Sequence, residues 1–400
     1  MESKKPTPKS KIGLEPDEFK VWIKDATRGI VPTGGHCLHG CIYCFLQGNK
    51  KRLNINSSIN FISEDDLRFG LDLLRQREED GVTEPMYEID IGSGGQVIQS
   101  EPFFHPYYSK LIEIGHEYFP DIGISTVTLG RWSKPEDFDL FRKANWKCHI
   151  TLNTLDQEKR DYMMKGPDDL KGVKNLLAQD DLLNGLFMVF HGDMEIFKRD
   201  IEEINRINPN IIDHKDFRIW PTGYTTHTAR NPDVLEMSAL GIKNFKEMLS
   251  WCRKNKIKIN PVFWELEDTM EMIPEGMTFS NHEEEKNDFE RRINNTIKLI
   301  DDRRIDYDDV GWLLADSVYS FSSRFKDFIN RINVKNHTFG GTVTAAGLLT
   351  RDDFYYAIKN HPVKYKYYVL SKDVFRIYHE DVMMNKFSSY DTEEFKFIMG

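Results

Sequence analysis

Short apolar runs alternate with longer amphipathic stretches along the first two thirds of the chain. The runs at 86–92 (MYEIDIG), 122–129 (IGISTVTL), 148–154 (CHITLNT), 186–192 (LFMVFHG), 217–222 (FRIWPT) and 258–266 (KINPVFWEL) are rich in β-branched and aromatic residues and predict strands. Helical patterns lie between them, over 64–80, 106–118, 135–145, 169–184, 195–206 and 235–256. Strands separated by helices imply parallel βαβ units, because a right-handed crossover lays each helix back on the sheet. Six or more such units predict an α/β fold built on a full or partial (β/α) barrel. Near-continuous apolar strands fit burial on both faces.

The pattern changes after residue 267. EEEKNDFERRINNTIKLIDD reads as a solvated, charge-laced helix, and HTFGGTVTAAGLLTRDDF is Gly- and Thr-rich with strand propensity. The expected division is a partly loose Lys-, Ser- and Pro-rich segment over 1–27, the barrel over 28–305, and a smaller mixed α/β C-terminal domain over 306–400.

Composition narrows the function classes. With 400 residues, 40% of them hydrophobic and 12% aromatic, the chain has ample apolar mass for a core. The formal net charge is -10, which argues against a general nucleic-acid binder, whose affinity comes largely from phosphate neutralisation. MESKKPTPKSKIG has no apolar core of signal-peptide type, and no window approaches the roughly 18 apolar residues of a membrane span, so the expected location is cytoplasmic. Five cysteines do not make a disulfide scaffold.

Three of those cysteines lie within GGHCLHGCIYCFLQGNK, at Cys37, Cys41 and Cys44. A structural zinc site wants four ligands, and His36 or His39 could complete a Cys3His set. A redox C-x-x-C pair would leave Cys37 without a role. An iron–sulfur cluster held by three thiolates leaves one iron open to bind and activate a small molecule.

The loop C-x3-C-x-Y-C resembles the signature of the radical S-adenosylmethionine (radical SAM) superfamily. The resemblance implies a [4Fe-4S] cluster on Cys37, Cys41 and Cys44, with S-adenosyl-L-methionine chelated at the fourth iron and cleaved reductively to a 5′-deoxyadenosyl radical. It also implies an oxygen-sensitive enzyme on a partial barrel, served by an external reductant such as flavodoxin or ferredoxin. Tyr43 precedes the last cysteine as in the superfamily. IGSGGQVIQSEP matches the Gly-rich stretch that meets the SAM amino group, which assigns Gly92, Ser93, Gly94 and Gly95 to cofactor binding; Gln96 replaces the usual acidic residue. ITLNTLDQEKRDYMM matches a stretch that meets the ribose and carboxylate of SAM, at Asn153 and Arg160. An Arg early in a helix is otherwise ordinary solvated surface.

IWPTGYTTHTARNP, LLADSVYSF and FGGTVTAAGLLTRDDF resemble, in addition, the radical SAM subfamily carrying the C-terminal domain of unknown function number 512. The matching residues are Pro221, Gly223 and Thr225; Asp316 and Tyr319; and Phe339, Gly340, Val343, Thr344, Gly347, Leu348, Leu349 and Thr350. Ser317 and Arg351 depart from the subfamily pattern. Cys148, at the start of a strand, and Cys252, on a helix, are expected to be buried structural residues, too few for a second cluster. Polar residues at strand C-terminal ends build the active face of a barrel. His191, Thr222, Tyr224 and Glu265 stand there, and Thr342 and Thr344 fall in a segment that would cap or close it.

The leading expectation is therefore a single-cluster radical SAM enzyme that abstracts a hydrogen from a small metabolite or a peptide side chain, without nucleic-acid or membrane partners. A non-catalytic zinc protein and a nucleic-acid-modifying radical SAM enzyme are the alternatives.

Overall fold

The computed structural model describes residues 30–33, 40–44, 61–79, 88–92, 101–165, 170–261, 282–322, 329–342, 349, 351–370 and 396–399. The chain divides into two compact units: residues 1–222 with 231–259, and residues 223–230 with 260–400. Both are α/β, with parallel sheets.

In the first unit, strands β1 (Ile30–Pro32), β2 (Glu88–Gly92), β3 (Gly123–Thr128), β4 (Trp146–Thr151), β5 (Leu183–Phe190) and β6 (Asp216–Pro221) stand side by side in chain order, all parallel. Helices α1 (Glu64–Glu79), α2 (Tyr108–Tyr118), α3 (Phe138–Lys143), α4 (Gln157–Met164), α5 (Lys171–Leu177), α6 (Met194–Ile207), α7 (Asn210–His214) and α8 (Pro232–Lys254) fill the connections. This is the strand order of a partial (β/α) barrel.

Alternation divides the sheet into two faces. Ile89, Ile91, Ile124, Trp146, Ile150, Leu186, Met188, Phe190, Phe217 and Ile219 are each at most 2% exposed. Burial of each such side chain contributes about 1.5–3 kcal/mol. Gly115 shows how closely α2 lies on this face, since a Cβ there would come 2.5 Å from Ile91 Cδ1 and 3.1 Å from Ile124 Cδ1.

Several element boundaries differ from the sequence expectation. The helix expected over 169–184 is only α5, followed by a 3-10 turn at Asp180–Leu182 and by β5 from Leu183. Leu183 pairs with Cys148, so sheet pairing overrides the helical period of LLAQDDLL. Strand β4 begins at Trp146, not at Cys148, because Asn145 turns the chain in a left-handed conformation (φ 50°) and its carbonyl accepts the Ile124 N–H. Of the strand expected over 258–266, Asn260–Pro261 is extended (β7), and 262–266 lie outside the described residues.

In the second unit, β8 (Val310–Ala315), β9 (Arg331–Val334), β10 (Tyr367–Leu370) and β11 (Lys396–Met399) form a parallel sheet in the order β11-β10-β8-β9. Its helices are α9 (His282–Asp302), α10 (Asp316–Ser322) and α11 (Arg351–Asn360). All six residues of β8 are buried, and Val310, Trp312 and Leu314 pack with Ile293 and Ile300 of α9. Helix α9 is therefore amphipathic rather than wholly solvated. Thr342 and Tyr224 are bonded twice: Thr342 N–H donates to the Tyr224 carbonyl (3.0 Å), and Tyr224 N–H to the Thr342 side-chain hydroxyl Oγ1 (2.9 Å). Gly341 has φ 66°, and a Cβ there would strike the Tyr224 carbonyl. Two of the resembling segments, around 223–226 and 339–342, thus meet.

Candidate active site

The site is built around α4. Asp156 caps its N-terminus, accepting the Lys159 N–H at 2.9 Å. At the other end, helix geometry leaves carbonyls without intrahelical donors. The cysteine loop supplies them: Gly40 N–H donates to Met164 O (3.2 Å) and Ile42 N–H to Met163 O (2.9 Å). A further bond, Cys44 N–H to Cys41 O at 3.1 Å, closes the loop on itself. One eight-residue helix therefore fixes the position of Cys41 and Cys44.

Midway along α4, Arg160 is fully buried. Its Nη1 donates to the carbonyls of Leu152 and Thr154, tying the helix to the turn that ends β4. Its charge also acts on the cysteine loop. Burial pushes the Cys41 thiol up to about 12, and neighbouring Cys44 adds to this; a hydrogen bond from Tyr43 and the Arg160 charge pull the other way. Burial likewise holds the Tyr43 hydroxyl well above its ordinary value. Cys41, Tyr43, Cys44 and Arg160 are thus one electrostatic group.

Beyond β4 the ladder continues for one residue, Leu152 N–H to Phe187 O at 2.8 Å, and then the chain reverses. Asn153 makes the reversal with φ 62°, a conformation that asparagine tolerates better than most side chains. It is 1% exposed, and neither Oδ1 nor Nδ2 has a hydrogen-bond partner among the described residues. Leaving a buried polar group unmatched costs about 1–3 kcal/mol. A side chain kept at that cost fits a ligand that supplies both a donor and an acceptor.

Gly92 ends β2, and its carbonyl accepts the Thr33 N–H at 3.0 Å. A Cβ there would run into Thr126 and Pro102, so packing alone requires glycine. Cys37, Ser93, Gly94, Gly95, His36, His39, Glu265 and Thr344 lie outside the described residues. Among the described residues no group of three metal-ligating side chains assembles, and Cys41 and Cys44 are the two described members of the cysteine loop.

The remaining expected residues divide. His191 follows β5 and is 2% exposed; burial chiefly, with Lys159 adding, lowers it to about 4, so the imidazole is neutral at physiological pH. Thr222 donates through its hydroxyl to Phe190 O (3.1 Å) and serves the sheet. Cys148 and Cys252 are buried, with thiols raised by burial, as expected of structural cysteines.

The sheet face opposite the helices holds side chains that the sequence reading missed. Val127, His149, Gly185 and Asp216 are in register, and so are Thr151, Phe187 and Arg218 one layer nearer the strand C-termini. The His149 ring stacks on Phe187 at 4.7 Å, its Nε2 lies 3.5 Å from Asp216 Oδ2, and Arg218 Nε donates to that oxygen at 2.7 Å. A closed barrel fills such layers with branched apolar residues. Here half-buried charged and aromatic groups line the face instead of a packed apolar layer. Polar residues at alternate positions of KCHIT and DFRIW carried that signal.

No family model matches the chain, and no curated protein matches it. Solved structures similar to it include two of SuiB from Streptococcus suis. One, bound to S-adenosylmethionine, is 13% identical over 49% of this chain and 41% of that chain, with a TM-score of 0.33. The other is 14% identical over 58% of this chain and 48% of that chain, with a TM-score of 0.37. The matched part spans less than half of SuiB.

Proposed function

We propose that the chain is a radical SAM enzyme with one [4Fe-4S] cluster on Cys37, Cys41 and Cys44, acting on a small metabolite or a peptide side chain. The observation that carries this reading is the convergence on α4 of the cysteine loop, the buried Arg160 and the unmatched Asn153 amide. When bound on these cysteines, the cluster would supply the electron for reductive cleavage of SAM, the radical chemistry by which a substrate hydrogen would be removed.

Each residue has a part that follows from its chemistry. Thiols must lose their protons to ligate iron, and Tyr43 and Arg160 both favour the thiolate of Cys41. Asn153 offers a donor and an acceptor to the ribose hydroxyls, and burial removes competing water. Arg160 would offer its positive charge to the SAM carboxylate. Gly92 and its neighbours Ser93, Gly94 and Gly95 would meet the amino group of SAM. The half-buried face around His149, Phe187 and Arg218 would hold the substrate, positioned for hydrogen removal.

The test is anaerobic reconstitution with iron and sulfide, reduction with dithionite and addition of SAM, with 5′-deoxyadenosine as the readout. Wild-type protein is expected to form it and Cys41→Ala is not. Stoichiometric zinc in the purified protein, together with failure to build any cluster, would instead support the zinc reading.

A further inference from the structure

Helix α6 is amphipathic, and its buried face carries Phe197, Ile201 and Ile204. Asp200 interrupts that face. It is 2% exposed, and burial raises its carboxyl to about 6. An apolar residue would satisfy the packing at lower cost.

What the carboxylate reaches is the turn after β4. Its Oδ1 accepts the Leu155 N–H at 2.9 Å and its Oδ2 has no hydrogen-bond partner among the described residues, while the nearby Thr154 hydroxyl favours its charged form. Thr154 Oγ1 in turn accepts the Asp156 N–H at 3.0 Å, and Arg199 donates to Asp156 Oδ2 at 3.1 Å. Two consecutive α6 residues therefore bond to Leu155 and Asp156 of the turn, and Thr154, the residue before them, is tied to Asp156, so the contact orders three consecutive residues. Asn153 lies immediately before these three and is held in its left-handed conformation with no bond of its own side chain among the described residues. Arg160, whose Nη1 bonds to Leu152 and Thr154, depends on the same stretch of backbone.

We infer that Asp200 is a positioning residue: by fixing the 153–156 turn from α6 it aims the Asn153 amide and sets the affinity for SAM. This deepens the proposed function and rests on it. A side chain that only stabilised the fold would change the unfolding midpoint without selecting for ligand affinity. A positioning residue ties the geometry of the turn to binding.

The experiment is equilibrium dialysis of SAM against anaerobically reconstituted wild type, Asp200→Ala, Asp200→Asn and Thr154→Val, paired with hydrogen exchange at residues 152–157 in the proteins without SAM. Asp200→Ala is expected to weaken SAM binding roughly tenfold or more and to speed exchange in the turn. Asp200→Asn keeps an acceptor for the Leu155 N–H and should restore both. Thr154→Val preserves volume, removes the hydroxyl link and should shift both readouts in the same direction by less, which covers the case of Asp200→Ala failing to fold. Unchanged affinity and unchanged exchange in Asp200→Ala, or in Thr154→Val if that variant alone folds, would overturn the inference. Wild-type protein that holds a cluster and does not bind SAM would overturn the functional reading, and the exchange data would still decide whether Asp200 fixes the turn.

Discussion

Asn153 and Arg160 are spaced by seven positions, yet they act on one turn because Arg160 reaches back to Leu152 and Thr154. A lysine would not replace it: its ammonium is a point donor without the planar guanidinium fork. Asp90 is a second telling residue. Its Oδ1 has no hydrogen-bond partner among the described residues, and burial, with Glu88 adding, raises its carboxyl to about 7. The native state therefore keeps a proton that the unfolded chain releases near 3.8. Stability from this group is complete below that value and is lost as pH rises through 7, by up to about 4 kcal/mol. Urea titrations from pH 4 to pH 8 should show that decline in wild type and a flatter profile in Asp90→Asn, with the variant more stable at pH 8. Identical profiles would contradict the account. The sequence displays these side chains but not their burial. Asp90 sits in an ordinary alternating strand, and nothing in LDQEKRDYMM tells that Arg160 points inward.

At the scale of elements, α4 matters more than its eight residues suggest. Its N-terminus closes the Asn153 turn and its C-terminus holds the cysteine loop. Strand β5 has a comparable pinch point at Gly185, where a Cβ would collide with the Asp216 backbone and lie 2.8 Å from His149 Cδ2. Gly185→Ala should cost about 2–4 kcal/mol, read as a lower urea midpoint. It should also disturb the His149–Asp216 pair, since both flank the collision. A midpoint equal to wild type would mean that the strands separate freely at this layer. The strands from 86 to 222 were legible from apolar runs and the helices from their periodicity. Boundaries were less so: LLAQDDLL reads as helix until the β4 edge claims Leu183.

For the whole molecule, the net charge of -10 bears on partners. Without a large positive field there is little counterion release to drive binding to a polyanion. Retention of the protein on immobilised RNA or duplex DNA should be negligible at physiological salt; strong, salt-sensitive retention would revive the nucleic-acid reading. No helix among the described residues is long and apolar enough to cross a membrane. By itself the sequence determined the α/β alternation, the thiol-rich loop and the burial of Cys148 and Cys252, because each follows from local periodicity or from residue type. Only the tertiary structure decided that Arg160 is buried, that Asn153 is left unmatched among the described residues, that Asp200 bonds to the same turn and that His149 meets Asp216. Those relations join residues from separate elements. They are set by how β4, β5, β6, α4 and α6 pack and pair, a three-dimensional register that no stretch of the chain carries alone.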